Sequence, residues 1–112
     1  MTRLWKALLY SLSGLTIAWR EERPFREAAA LAAILIAAAF YLAPDKLSLL
    51  LMAGSALLVL MAELLNTAIE AAVNRTGTEI HTLAKKAKDT ASAAVFIALV
   101  NAGLIWTTVL LF

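Results

Sequence analysis

The 112-residue sequence contains no cysteine and only one histidine, and charged residues make up just 16% of it. The lack of cysteine excludes disulfide bonds, cysteine-ligated zinc, iron–sulfur clusters and thiol nucleophiles. A single histidine excludes metal sites built from several histidines and argues against a Ser-His-Asp triad. Apolar residues take the place of the missing charge, at 62% of the chain. A chain this short has too little interior to bury that surplus, so the bilayer is the expected solvent.

Residues 2–20 predict an amphipathic helix that lies along a membrane surface. Apolar side chains recur along it at steps of three and four, whereas Arg3 and Lys6 fall on another side. Trp5 and Trp19 suit the headgroup region, where a ring with one polar group is well solvated. The polar residues also interrupt the apolar run that a cleavable signal peptide needs. We therefore expect an interfacial helix.

Three apolar segments follow, and each of them predicts a transmembrane helix. Residues 28–43 and 47–62 are runs of sixteen residues without a charge, and residues 91–112 form a run of 22. The first run is shorter than the ~20 residues that a span needs, so Arg26 and Glu27 are expected to extend it by snorkelling. Within one domain covering residues 1–112, the predicted elements are a surface helix (2–20), three transmembrane helices (26–43, 47–73 and 91–112) and a polar connection (74–90).

The basic residues predict the orientation of these spans. If the chain crosses three times, the surface helix and the 74–90 connection share one side of the membrane. That side holds nine of the ten basic residues, and only Lys46 lies on the other. By the positive-inside rule, the N-terminus and the 74–90 connection are expected in the cytoplasm.

Two carboxylates in the second span carry the strongest functional signal. Glu63 and Glu70 are seven residues apart, about two helical turns and ~10 Å of rise, so they share a face with Asn66 and Thr67 between them. Glu63 is expected deeper in the membrane, where a carboxylate costs roughly 2.5–3.5 kcal/mol and marks a functional site by default. Glu63 is therefore a candidate general base. The alternative is a polar seam that joins helices, with Asn66 bonding across the interface.

Further polar groups are expected at the same membrane face. Carboxylates and a lysine in that position could hold a hydrated Mg²⁺ and the phosphates that it bridges. The sequence has no GxxxxGK[ST] run, which excludes a P-loop nucleotide site. The three lysines near residue 86 could equally bind anionic lipid. The residues alone therefore predict a cytoplasm-facing, metal-binding membrane site, with these additional members: Glu22, Glu79, His81, Lys88 and Asp89.

The chain resembles the prokaryotic diacylglycerol kinase family in a long, ordered set of motifs. These are ELLNTAIEAAVNR from Glu63, EIH from Glu79, AKDTASAAV from Ala87, and the pattern Ala18-Trp19, Glu22, Phe25-Arg26. The resemblance runs over nearly the full length. It implies an all-α membrane protein with a surface helix and three spans, packed as a homo-oligomer, with a trimer expected. It also implies phosphorylation of a membrane lipid alcohol from MgATP, with active sites shared between subunits in the bacterial inner membrane.

The same resemblance assigns roles to individual residues. Glu63 is implied as the catalytic base, with Asn66 supporting the reacting groups, and Glu22 and Glu70 are implied as Mg²⁺ ligands that also contact the nucleotide. Further nucleotide contacts are implied at Arg3, Tyr10, Glu79, His81, Lys88 and Asp89. Positions on the lipid side are Glu63, Trp19, Arg26 and Ser92. No nucleic acid and no protein partner other than copies of the chain are expected.

Two alternatives remain open from the sequence. Within the enzyme class, the lipid acceptor could be undecaprenol instead of diacylglycerol. In a different class, three short spans with a buried glutamate could form an oligomeric proton-coupled transporter or pore subunit, in which Glu63 carries the proton. A set of cytoplasm-facing polar residues argues against that second alternative, because a proton path has no need of them: Glu22, Glu79, Lys88 and Asp89.

Overall fold

The computed structural model describes residues 2–75 and 82–112, and helices make up nearly all of them. Within that part the helices are α1 (Thr2–Glu21), α2 (Arg23–Leu42), α3 (Lys46–Asn74) and α4 (Thr82–Leu111). The last three are long and apolar enough to cross a membrane. The prediction of an all-α fold with one N-terminal amphipathic helix and three apolar helices is confirmed.

The break between α1 and α2 lies at a single residue, Glu22, whose backbone is extended (φ −115°, ψ 100°). Pro24 falls in the first turn of α2, where its missing N–H costs nothing because no helical carbonyl is available there. Arg26 reaches back across the break, and its Nη1 donates to the carbonyls of Trp19 at 2.8 Å and Arg20 at 3.2 Å. These bonds satisfy carbonyls at the end of α1 and fix the angle between the two helices.

The turn between α2 and α3 spans three residues, 43–45, and ends in a helix cap. Asp45 has an extended backbone, and its side chain accepts a 2.8 Å hydrogen bond from the Ser48 backbone N–H. This bond stabilises the ionised carboxylate, so the pKa of Asp45 lies below its ordinary value of 3.8. The cap starts α3 immediately after the turn.

Helix α4 begins at Thr82, nine residues before the uncharged run that was predicted as the third span. Its first turns carry an ion pair along the helix, with Lys85 Nζ 2.6 Å from Asp89 Oδ2. An uncharged run predicts only the part of a helix that lies in the membrane. Exposed charged residues at i and i+4 can pair along a helix, so the same helix can continue into water. At ~1.5 Å per residue, a 30-residue helix is ~45 Å long and exceeds the ~30 Å hydrocarbon core.

The helices pack in chain order, and α3 contacts α4 most extensively, followed by α2 against α3 and α1 against α2. Small residues allow the close approach, with Ala32, Ala39, Ala56 and Ala98 each at most 5% exposed. Trp106 locks α4 onto α3, because its Nε1 lies 3.3 Å from the Met52 carbonyl oxygen and 3.2 Å from Ser55 Oγ. We call the end of this pair that holds Lys46 and Leu111 the far end, and the end that holds Asn74 and Thr82 the basic end.

Helix α1 is attached mainly through its C-terminal part. Ala18 is buried, whereas residues 2–17 are all exposed, including Trp5 at 60%. An amphipathic helix with this much free surface needs an apolar or interfacial environment for its large side chains. Large apolar side chains are likewise exposed along α2, α3 and α4, as lipid-facing surfaces require.

Candidate active site

One edge of α3 carries the carboxylates that the sequence singled out. Asn66 Nδ2 donates a 3.0 Å hydrogen bond to Glu70 Oε1, one helical turn further along. Glu63 lies one turn before Asn66 and is half-buried, on the same side of α3 as Glu70. The edge therefore concentrates negative charge that a cation could neutralise, and the bond from Asn66 fixes one carboxylate in place.

A cleft of about 1060 Å³ lies between this part of α3 and α1. Glu22, at the α1–α2 break, and Glu70 both line it, together with Glu21, Thr67 and Asn74. Glu22 follows Gly14 and Ala18 at steps of four residues, so it continues the α1 face that lines the cleft. The structure thus brings the two predicted metal ligands to one cavity from different helices.

The donor set of this cleft fits a magnesium ion held in part by phosphate. Mg²⁺ is bound in kinase-type sites by one or two carboxylates, with substrate phosphates and water completing the octahedron. Within residues 2–75 and 82–112, no group of three or more His, Cys, Asp or Glu side chains is placed to hold a metal. Glu22 and Glu70 supply two hard oxygen ligands, which suits a metal that arrives with a nucleotide better than a fully protein-enclosed ion.

The predicted nucleotide contacts lie in separate places on the single chain. Arg3 and Tyr10 line a shallow cavity of about 580 Å³ on α1, together with Lys6. Lys88 and Asp89 lie in the first turns of α4, where Lys88 is half-buried and Asp89 is paired with Lys85. Neither pair is among the lining residues of the Glu22–Glu70 cleft. The predicted contacts at Glu79 and His81 fall outside the described residues.

The predicted lipid-side residues are also divided between helices. Trp19 and Arg26 are joined across the α1–α2 break by the bond from the Arg26 guanidinium to the Trp19 carbonyl. Ser92 is exposed on α4, next to the buried Ala91. Glu63 is a lining residue of neither the Glu22–Glu70 cleft nor the groove between α3 and α4; it lies on the part of α3 between those two faces.

That groove contains a residue that the sequence analysis did not select. The groove has a volume of about 460 Å³, and Asn101 of α4 lines it opposite the α3 face that carries Asn66. Asn101 is the one amide within the 22-residue uncharged run at the C-terminus. A lone amide in a membrane span is expensive and marks a helix contact or a ligand contact, so this signal was available in the sequence.

Comparison with known proteins gives similarity over nearly the whole chain. The prokaryotic diacylglycerol kinase family matches residues 9–110. The diacylglycerol kinase of Haemophilus influenzae is 46% identical over 112 residues, covering 100% of this chain and 95% of that protein. That of Helicobacter pylori strain 26695 is 51% identical over 109 residues, covering 97% and 85%. That of Escherichia coli K12 is 41% identical over 109 residues, covering 97% and 89%. The resemblance is confirmed, and of the candidate site residues Arg3 alone lies outside the matched range.

Proposed function

The chain belongs to the prokaryotic diacylglycerol kinase family, and on that premise we propose that it transfers the γ-phosphoryl group of ATP to the hydroxyl of diacylglycerol, giving phosphatidic acid. The reaction takes place where a membrane lipid and a water-soluble nucleotide can meet. The observation that carries the proposal is that Glu22 and Glu70 line one cleft, beside the α3 edge that holds Glu63 and Asn66.

Glu63 acts as the general base for the lipid hydroxyl. As the hydroxyl oxygen bonds to the γ-phosphorus in line, the bond from that phosphorus to the β–γ bridging oxygen breaks and ADP leaves. The hydroxyl proton passes to the Glu63 carboxylate. Phosphoryl transfer depends on positioning and charge neutralisation more than on covalent catalysis. Asn66 contributes to positioning, because it lies one turn from Glu63 and holds the Glu70 carboxylate by its 3.0 Å bond.

Glu22 and Glu70 are proposed as the protein ligands of Mg²⁺. When bound, Mg²⁺ neutralises charge on the transferring phosphoryl group and orients it for in-line attack. Asn66 orients Glu70 for this role, and Glu22 lines the wall of the cleft that continues from α1.

A homotrimer with shared active sites accounts for the positions of the proposed nucleotide contacts. Arg3 and Tyr10 line a cavity on α1 that is separate from the cleft, and Lys88 and Asp89 lie at the start of α4. A second copy of the chain can bring its own α1 or α4 to the cleft of the first, so that one nucleotide meets residues of both. Glu79 and His81 belong to the same proposed set.

The proposed orientation places the basic end in the cytoplasm of a bacterial cell, with the protein in the inner membrane and the N-terminus inside. Nine of the ten basic residues support this orientation, and ATP is cytoplasmic. A cysteine at Lys86 should then react with a membrane-impermeant thiol reagent only after the membrane is opened, whereas a cysteine at Lys46 should react in intact cells. The native chain has no cysteine that would add a background.

Lipid contacts are proposed on α3 and α4 as well as at the α1–α2 break. Trp19 and Arg26 are joined there, and Ser92 completes the proposed lipid-side set together with Glu63. Trp19 is 51% exposed, so its ring is free to contact a lipid at the headgroup level.

The deciding experiment is incorporation of labelled phosphate from ATP into lipid by the purified full-length protein. Diacylglycerol and undecaprenol are supplied in parallel as acceptors, and label in phosphatidic acid that depends on Mg²⁺ is the expected result. Preferential labelling of undecaprenol would replace the acceptor but keep the reaction. Absence of lipid labelling, together with proton movement in liposomes, would favour the transporter reading.

A further inference from the structure

The groove between α3 and α4 is apolar apart from two amides. Leucine, isoleucine, methionine and alanine side chains form its walls, and Asn66 and Asn101 are its polar lining residues. Its volume of about 460 Å³ lies in the range of small-ligand sites, which are mostly apolar with a few polar groups that fix orientation.

The two amides differ in how they are satisfied. Asn66 is bonded to Glu70 within α3. Asn101 is half-buried, and within residues 2–75 and 82–112 no hydrogen bond reaches its side chain. An amide in an apolar environment without a partner is costly, and the bilayer core offers no water in its place. The partner of Asn101 is therefore expected to come from a molecule that enters the groove.

The register of α3 against α4 places Asn101 relative to Glu63. Trp106 bonds to Met52 and Ser55, and the two helices are antiparallel, so five residues back along α4 correspond to five residues forward along α3. Asn101 then lies level with residues 57–60, in agreement with Leu58 and Met61 as lining residues of the groove. Glu63 is three to six residues beyond that level, or about 4.5–9 Å closer to the basic end.

We propose that Asn101 is a specificity-determining residue, whose side-chain amide donates a hydrogen bond to an ester carbonyl of the lipid acceptor in the α3–α4 groove. This inference rests on the proposed kinase function. In diacylglycerol the carbon that bears the hydroxyl is bonded to a carbon that bears an ester. With the hydroxyl at Glu63, that ester points deeper into the membrane, toward the level of Asn101. A polyprenol has no carbonyl to offer, so Asn101 favours an ester glycerolipid over a long-chain alcohol.

The test compares diacylglycerol with its dialkyl ether analogue of the same chain length, which lacks the carbonyls but keeps the hydroxyl. kcat/KM is measured for both lipids with the full-length wild type, Asn101→Leu, Asn101→Gln and the control Thr107→Val. Thr107 is an exposed polar residue of α4 outside the groove lining. Both lipids are assayed on one preparation, so the ester-to-ether ratio does not depend on how much of a variant is folded.

The wild type and Thr107→Val should prefer the ester by about fivefold, as one neutral hydrogen bond allows. Asn101→Leu should bring the ratio close to one, and Asn101→Gln should recover part of it. An equal ratio in the wild type and Asn101→Leu overturns the inference. If that result comes with a reduced oligomer fraction on cross-linking, the amide serves a contact between copies instead. A wild type that phosphorylates neither lipid refutes the kinase proposal itself.

Discussion

The two ends of the α3–α4 pair differ in whether their polar groups are buried and bonded to one another. At the far end, the Trp106 indole, the Met52 carbonyl and the Ser55 hydroxyl bond to one another, and Met52 and Ser55 are 0% and 2% exposed. At the basic end, Glu63 and Glu70 are half-buried or exposed, beside cavities. The far end is closed and sets the register of the helices. The basic end keeps polar groups available for ligands, in positions that this register determines.

The largest effect that would test this contrast comes from Glu63→Gln. The change keeps the shape of the side chain and removes the proposed base, so kcat should fall by about 10²- to 10⁴-fold. ATP binding should survive, because Glu22 and Glu70 remain. Lipid phosphorylation and equilibrium nucleotide binding, both measured on the purified variant, separate the two effects.

Glu27→Gln is the matched control for that variant. Glu27 is an exposed carboxylate paired with Arg23 at 3.1 Å, and such a surface pair contributes little, so activity should stay close to wild type. If Glu63→Gln also keeps its kcat, Glu63 only joins helices and the basic end holds no catalytic base.

A smaller effect is expected from the proposed metal ligands. Glu22→Gln and Glu70→Gln each remove one charged oxygen ligand. Loss of a residue that only hydrogen-bonds to a metal ligand already weakens metal binding by roughly tenfold. The Mg²⁺ concentration for half-maximal activity should therefore rise by at least that factor. Excess Mg²⁺ should restore part of the rate, which it cannot do for Glu63→Gln. A magnesium titration that is unchanged in both variants would remove these residues from the metal site.

Much of this fold could be predicted from the sequence, because apolar run length and helical periodicity report directly on membrane-spanning helices. The start of α4 could not, since Lys85 and Asp89 can pair on a helix or be solvated in a loop, and hydropathy is the same in both cases. The pairing of Asn66 with Glu70 follows from i, i+4 spacing and was within reach of sequence reasoning.

The meeting of Glu22 with Glu70 has a different basis. It depends on the angle at which α1 lies against α3, across the cleft that both residues line. No local pattern encodes that angle. Asn101 is a different case. Its position in an uncharged run could be seen in the sequence, but the groove that it lines is formed only when α3 and α4 pack together.

At the far end, Trp106→Phe tests whether the bonds of Trp106 contribute to stability and not to catalysis. The variant loses the indole N–H that binds the Met52 carbonyl and Ser55 hydroxyl, and the free energy of unfolding should fall by about 1 kcal/mol. Since Ser55 and Met52 still bond to each other at 2.7 Å, no orphaned group adds to the cost. Thermal unfolding in detergent measures the change, with Trp5→Phe on the exposed part of α1 as control. A large loss of kcat at full folding would mean that the closed end takes part in catalysis.

The smallest expected effect concerns the cap that starts α3 at the far end. The pKa of Asp45 is lowered below 3.8 mainly by the hydrogen bond from the Ser48 backbone N–H, so the folded state releases this proton more readily than the unfolded chain. The resulting stabilisation is complete above the unfolded pKa and is lost as pH falls through the lowered value. The variant Asp45→Asn keeps a side chain that caps a helix but does not titrate. The wild type and Asp45→Asn should therefore unfold with similar pH dependence at neutral pH, and below about pH 3.8 the wild type should lose stability faster. Parallel curves throughout the acid range would show that the bond to Ser48 does not stabilise the ionised carboxylate in the folded protein.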